Sequence, residues 1–133
     1  MEITYPQPAG LVVSPAFSHV AVVPPGAATI YVGGQNGVDE TGAVVSGDVA
    51  EQARRAVDNA RVALEAAGAS LADVVQWTVL LDQDTDIRAA YGAIAPQLAR
   101  EGAPPLVTAA LVAGLGVPGA LLEVSAIAAV VPA

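Results

Sequence analysis

The residue best suited to chemistry is Glu123, a carboxylate that stands alone in the apolar C-terminal third of the chain. No other side chain between residues 102 and 133 is ionisable. A carboxylate in such apolar surroundings costs free energy unless something pairs with it or protonates it, so its presence favours a role in proton transfer. The alternative is a structural carboxylate that accepts hydrogen bonds from backbone or hydroxyl groups, and the sequence leaves both interpretations open.

A second group of interest is Gly33-Gly34-Gln35, which ends a predicted strand. Glycines there could present backbone N–H groups to an oxyanion of a ligand. They could equally allow close approach of a neighbouring strand, which is the commoner reason for glycine at a strand end. Arg88 could bind an anionic ligand or pair with Asp84, which lies one helical turn before it.

The charge balance and the missing residue types exclude several classes of function. The chain has a net charge of −8, with 13 acidic residues against five arginines and no lysine, which disfavours binding to nucleic acid or to an anionic membrane. The absence of lysine excludes a Schiff base on a lysine amine, and the absence of cysteine excludes thiol nucleophiles and thiolate metal sites. The single histidine, His19, excludes a multi-histidine metal site. We therefore predict no metal and no cofactor.

The length and composition predict one domain, residues 1–133, with a second buried surface in addition to its core. The chain is 54% hydrophobic but only 4% aromatic, so its apolar surface is mainly aliphatic. Such a surplus indicates a second buried surface, most simply an interface between copies of the chain. No secretory signal and no membrane span are recognisable, so we expect a soluble cytoplasmic protein.

Periodicity predicts two helices among several strands. One helix begins at Asp48, with Glu51 as its capping-box partner, and stops near Gly68. The second follows a turn at 82–85, and Pro96 should kink or shorten it. Its inward stripe is predicted as Ile87, Tyr91, Ile94 and Leu98. The predicted strands are 16–23, 28–35, 43–45, 71–81, 106–112 and 120–131. This order predicts an α+β fold with both helices on one face of the sheet.

Two segments resemble a known family. They are Tyr-Val-Gly-Gly-Gln-Asn-Gly-Val-Asp at 31–39 and Pro-Gly-Ala-Leu-Leu-Glu-Val-Ser-Ala-Ile-Ala at 118–128. Together with Phe17-Ser18-His19 and the order of elements, they resemble the RidA/YjgF family, formerly called endoribonuclease L-PSP, from about residue 15 onward. The resemblance implies a chorismate-mutase-like fold, a mixed sheet with two helices on one face. It also implies a homotrimer with a central barrel and a ligand cleft at each subunit interface.

The family's best-known activity is hydrolysis of enamines and imines to 2-keto acids and ammonia, and it relies on an arginine in a Pro-x-Arg-Ser segment. Here that segment reads Pro-Leu-Val-Thr at 105–108, so Val107 stands where the arginine is expected. Ala109 replaces a frequent cysteine, and Phe17 replaces a tyrosine. The chain therefore resembles an arginine-lacking branch, for which hydrolysis of 2-iminopropanoate is not expected. Arg88 could replace the lost cation from another direction.

The resemblance implies Glu123 as the acid/base group. The implied substrate-binding residues are Phe17, Gly33, Gly34, Gln35, Arg88, Val107, Thr108 and Ala109. We expect hydrolysis or tautomerisation of an imine- or enamine-type electrophile that is less anionic than an amino-acid derivative. The alternative is a non-catalytic trimer that carries a metabolite or contacts another protein. The ribonuclease activity in the older family name is disfavoured by the charge balance.

Overall fold

The computed structural model describes residues 1–133 and contains one four-stranded sheet and two α-helices. The elements are β1 (Ala28–Asn36), α1 (Val49–Ala66), a 3₁₀ turn (Leu71–Asp73), β2 (Val74–Asp82), α2 (Ile87–Leu98), β3 (Leu106–Val112) and β4 (Leu122–Val130). The predicted α+β class is confirmed. Neither helix is both long and apolar enough to cross a membrane.

The strand order in the sheet is β1-β4-β2-β3. β4 is antiparallel to both of its neighbours, whereas β2 and β3 run parallel and are connected through α2. The sheet is therefore mixed, as predicted. β3 is one of the two edge strands of the sheet.

The core lies between the two helices and one face of the sheet. In β4 the side chains of Leu122, Val124 and Ala126 join this core, because successive residues of a strand point to opposite faces. Trp77, at 3% exposure, lies in the same layer. Glu123 consequently points to the other face, which no helix covers, and we call it the open face.

The first helix has the predicted position, but the predicted capping box is only half formed, because the backbone N–H of Asp48 donates to Oγ of Ser46 and not to Glu51. Asp48 caps α1 by accepting a hydrogen bond from the backbone N–H of Glu51 at 3.1 Å. The buried residues recur at helical spacing and are Gln52, Ala53, Ala56, Val57, Ala60 and Leu64. The helix ends at Ala66, just before Gly68, whose φ of 80° suits glycine at a helix end.

The second helix differs from its prediction in two respects. Asp86, rather than the turn at 82–85, caps α2. The predicted inward stripe is partly wrong, because Ile87 and Tyr91 are 48% and 53% exposed while Ala90 and Ile94 are buried. The reason is that α2 lies mainly against α1 instead of flat on the sheet. The proline at position 96 stands inside the last turn, and the helix ends two residues later.

Three strand predictions are corrected. The segment 16–23 is not a strand, and only Val22 pairs, with Thr4. Prolines flank this segment, and Ser18 donates its backbone N–H to the carbonyl of Pro105 and not to a neighbouring strand. The segment 43–45 forms a single bridge, between Val38 and Val44. Residues 71–73 form the 3₁₀ turn, because the carboxylate of Asp73 accepts a hydrogen bond from the backbone N–H of Ser70 at 2.8 Å.

Candidate functional site

Glu123 lies half-buried on the open face, directly over the backbone of Gly34. A β-carbon added at Gly34 would stand 2.7 Å from both Cδ and Oε2 of Glu123, so only glycine leaves room for the carboxylate. The carboxylate accepts no hydrogen bond and makes no ion pair within the chain. The structure therefore leaves this group free to interact with something outside the chain.

A β-bulge in β1 brings the glycines to this position. The pairing with β4 shifts register between Val32 and Gln35, and Gly33 and Gly34 have no partner in β4. Gln35 turns its side chain back, and its Nε2 donates to the carbonyl of Gly33 at 3.3 Å. The close approach of the Gly34 backbone to the Glu123 side chain is thus observed. Donation of backbone N–H groups to a ligand stays a prediction. We call Gly33, Gly34, Gln35 and Glu123 the Glu123 half-site.

Buried amides fix the ends of β1 and β4 next to this half-site. Nδ2 of Asn36 donates to the carbonyl of Leu122 at 2.9 Å, one residue before Glu123. Asn59 of α1 in turn donates to the carbonyls of Asn36 and Val38 at 3.1 and 2.9 Å. This cluster is not predicted from the sequence, because the helical pattern gives no reason to single out a polar residue on α1.

Gln52 likewise fixes the backbone of the loop that precedes β4. Its side chain is fully buried, donates to the carbonyls of Ser46 and Gly119, and accepts the N–H of Leu121 at 2.8 Å. Gly37 allows the contact, since a β-carbon there would stand 2.5 Å from Cα of Gln52. The one signal in the sequence was a glutamine at a position of α1 that the periodicity assigns to the core.

Val107 belongs to a different place, on the helix side of the sheet. It pairs with Trp77 and borders a cavity of about 250 Å³ between α2 and strands β2 and β3. Eleven of the sixteen residues around the cavity are hydrophobic, including Trp77, Val79, Ile94, Leu98, Val107 and Val124. We call this space the Val107 cavity.

The three neighbouring residues predicted in β3 divide between the two faces. Val107 and Ala109 pair with core-side residues of β2, whereas Thr108 pairs with Thr78 on the open face. Phe17 is held beside the start of β3, because the hydroxyl of the next residue donates to the carbonyl of Pro104 at 2.6 Å. The Phe17 ring meets the imidazole of His19 edge to face, at 5.4 Å between ring centroids.

The arginines have different surroundings. Arg88 is exposed, makes no side-chain hydrogen bond within the chain, and does not border the Val107 cavity. Arg100 does border the cavity, but its guanidinium donates to the carbonyls of Ala72, Val74 and Ala103 and to the hydroxyl of Tyr5. Arg100 is thus committed to fixing the backbone, and the single chain places no free cation next to Val107.

The Glu123 half-site and the Val107 cavity lie on opposite faces of the same sheet. A ligand in the cavity cannot reach the carboxylate of the same chain, because the sheet separates them. The predicted residues therefore do not converge into one site within one chain. A single ligand would contact both groups only if they came from two different copies of the chain.

The electrostatics around these groups are simple. No three His, Cys, Asp or Glu side chains lie close enough together to hold a metal ion. In the turn after β1, the hydroxyl and N–H of Thr41 and the N–H of Ala43 hold the pKa of Asp39 below its usual value. This turn is a structural feature that follows the half-site along the chain.

The sequence from residue 11 to residue 130 matches the profile of a family described as endoribonuclease L-PSP. The chain belongs to this family. RidA/YjgF is the newer name of this family, and the match confirms the family that the segments at 31–39 and 118–128 suggested.

Solved RidA/YjgF structures have the same fold. A Rid-family protein of unknown function from Yersinia pestis has a TM-score of 0.81 and 26% identity, over 96% of this chain and 98% of that one. The YjgF gene product of E. coli has a TM-score of 0.68 and 29% identity, over 92% of this chain and 91% of that one. These likenesses confirm the predicted RidA-like fold class.

Curated RidA relatives match a shorter segment. The human 2-iminobutanoate/2-iminopropanoate deaminase is 48% identical over 59 residues, which are 44% of this chain and 43% of that protein. The matched segment spans less than half the length of the curated relatives. The activity in their name is therefore a basis for a proposal about this chain and no more.

Proposed function

We propose that this RidA-family chain is a small-molecule enzyme whose ligand binds where the Glu123 half-site of one copy faces the Val107 cavity of another. The observation that carries the proposal is the unpartnered carboxylate of Glu123, held half-buried over Gly34 on a sheet face that no helix covers. A homotrimer, as the family resemblance implies, would place such a cleft at each of its interfaces. Location in the cytoplasm stays a prediction.

The reaction that suits this carboxylate best is hydrolysis of an imine, or of the enamine that tautomerises to it. Glu123 would take a proton from water as the oxygen adds to the C=N carbon, and would return that proton to nitrogen. The hydroxyl of the resulting carbinolamine would then give its proton to Glu123, which would pass it to the nitrogen as the C–N bond breaks, giving a carbonyl compound and ammonia. The relatives named as 2-imino acid deaminases support this reaction class.

Val107 distinguishes this chain from the family's arginine-containing pattern. A guanidinium binds a carboxylate bidentately, and valine offers no such contact. We propose an arginine-lacking branch that accepts substrates with less negative charge than a 2-imino acid. Arg88 is the remaining candidate for anion binding, and its exposed side chain would have to reach the site from another copy.

The decisive experiment compares the wild type with Glu123→Gln. The neutral test imine is formed in situ from 2-phenylethylamine by an amine oxidase, and 2-iminopropanoate is formed from alanine by an amino-acid oxidase. Ammonia release above the spontaneous rate is measured for each. We expect the wild type to accelerate hydrolysis of the neutral imine and Glu123→Gln to lose about 100-fold or more of that acceleration, the usual contribution of a positioned acid/base group.

The result separates the enzyme from the alternative function, a non-catalytic binding trimer. Full activity of Glu123→Gln would refute the acid/base role. No acceleration of either imine, combined with saturable ligand binding, would favour the binder, whose supporting observation is the formed apolar cavity beside Val107.

A further inference from the structure

The Val107 cavity exists because small residues form one of its walls. Ala95, Ala99 and Gly102 border it from α2 and the loop that follows. None of them is long enough to fill the space between α2 and the sheet. Since α2 leans on α1, the gap over β2 and β3 remains open.

The rest of the lining is largely apolar as well. Trp77 and Ile94 are buried, and Val57 and Val124 belong to the central core. A cavity of about 150 Å³ with such a lining suffices to bind benzene, so about 250 Å³ accommodates a phenyl ring with a short side chain.

The charges around the cavity argue against an anionic occupant. Arg100 is the only cationic residue on its border, and four hydrogen bonds to the backbone and to Tyr5 already engage the guanidinium. The chain as a whole carries a net charge of −8, which repels anions further.

The mouth of the cavity has one group for a neutral polar atom. Tyr91 borders the cavity and is 53% exposed, and its hydroxyl makes no hydrogen bond within the chain. Val107, 42% exposed, stands at the mouth as well. A phenol can donate to a carbonyl or imine and accept from an amine or amide, so it suits an uncharged polar head.

We propose that the Val107 cavity binds the side group of the ligand and that this group is an uncharged phenyl or branched alkyl group carried on a neutral polar head. This inference rests on the proposed function, which it deepens by naming the substrate class. Neutral imines and enamines from arylalkyl or branched alkyl amines are the substrates, and 2-imino acids are not.

Trp77 provides a direct test of occupancy, because it is the only tryptophan of the chain and borders the cavity. The probes are phenylacetamide, its anionic isostere phenylacetate, and propionamide, which lacks the ring. We expect phenylacetamide to change the Trp77 emission saturably and to bind at least tenfold more tightly than either of the other two. Absence of a saturable change, or equal affinity for phenylacetate, would overturn the inference.

Three variants test whether the probe binds in the Val107 cavity. Ala95→Phe fills the space and should abolish the response, whereas Val62→Phe adds the same ring at an exposed position of α1 outside the cavity and should not. Val107→Arg should shift the preference toward phenylacetate. A response that survives Ala95→Phe in a folded protein, as judged by circular dichroism, contradicts binding in this cavity.

The two proposals fail in different ways. Glu123→Gln should bind phenylacetamide as the wild type does while losing turnover. If it keeps turnover, the acid/base role is wrong and the cavity inference still stands or falls on the fluorescence titration. If the wild type turns over imines but shows no response to phenylacetamide, the cavity inference is wrong and the proposed reaction remains.

Discussion

Glu123 depends on the missing side chain of Gly34 for its position in the sheet. The carboxylate occupies the space next to Gly34. A β-carbon at that position would lie 2.7 Å from both Cδ and Oε2 of Glu123. Such a distance is far inside ordinary van der Waals contact, so a methyl group there forces either the carboxylate or the bulge to move. The placement of this carboxylate therefore depends on a neighbouring glycine.

We predict that Gly34→Ala lowers kcat for imine hydrolysis at least tenfold more than Gly33→Ala. A β-carbon at Gly33 meets nothing within 4 Å, so the second variant measures only the change in backbone freedom of the same bulge. Steady-state kinetics of both variants provide the comparison. Equal losses would mean that the bulge, and not the space over Gly34, matters for the carboxylate.

At the scale of elements, α1 does more than cover the sheet. Gln52 and Asn59 reach from its buried side to the backbone at both ends of the Glu123 half-site. Buried amides are costly unless all their groups are bonded, and here Gln52 satisfies three backbone groups at once. The helix thereby fixes where β1 ends and where β4 begins.

We predict that Gln52→Leu destabilises the fold by about 3 kcal/mol or more, because it leaves buried backbone groups without partners at about 1–3 kcal/mol each. The free energy of unfolding is measured by urea denaturation. Gln97→Leu is the matched control, since Gln97 makes one 3.3 Å hydrogen bond and its own Oε1 has no partner. A loss for Gln52→Leu no larger than for Gln97→Leu would contradict the role of this amide.

The whole molecule leaves much of its apolar surface exposed. Only 23 of 133 residues are buried, and the exposed hydrophobic residues include Val12, Val13, Tyr31, Val107 and Leu111. Several of them lie on or beside the sheet, whose open face no helix covers. This surface supports the predicted assembly of copies, because large apolar patches on a lone chain are uncommon.

We predict that size-exclusion chromatography with light scattering gives a mass of three times 13.2 kDa, about 40 kDa. The measurement is repeated over a range of protein concentrations to detect dissociation. A monomer at concentrations that support activity would contradict both the trimer and a cleft between copies.

A mixture of two inactive variants tests whether copies share the site. Trimers assembled from equal amounts of Glu123→Gln and Ala95→Phe subunits should recover about a quarter of the wild-type activity, since each intact site takes its carboxylate and its cavity from different copies. Trimers of either variant alone should recover none. Absence of recovery in verified mixed trimers would mean that each site is built within one chain.

The sequence by itself determined the elements whose patterns are local. Capping and periodicity located α1, and alternation in β4 separated Glu123 from the core, because these signals depend only on neighbours along the chain. The combination of Gly33-Gly34 with the closing strand also indicated the family and hence the fold. The charge balance also argues against binding to nucleic acid, because net charge depends on composition alone.

Only the tertiary structure decided how the candidate residues are distributed. The tilt of α2 exposed Ile87 and Tyr91 and opened the Val107 cavity, which no helical pattern predicts, because helix–helix contacts join residues far apart in sequence. The sheet pairing placed Val107 and Glu123 on opposite faces, although the family pattern assigns them to one site. The sequence alone singled out Glu123 as a candidate reactive group. Its position over Gly34 and its separation from the Val107 cavity within one chain follow from long-range packing.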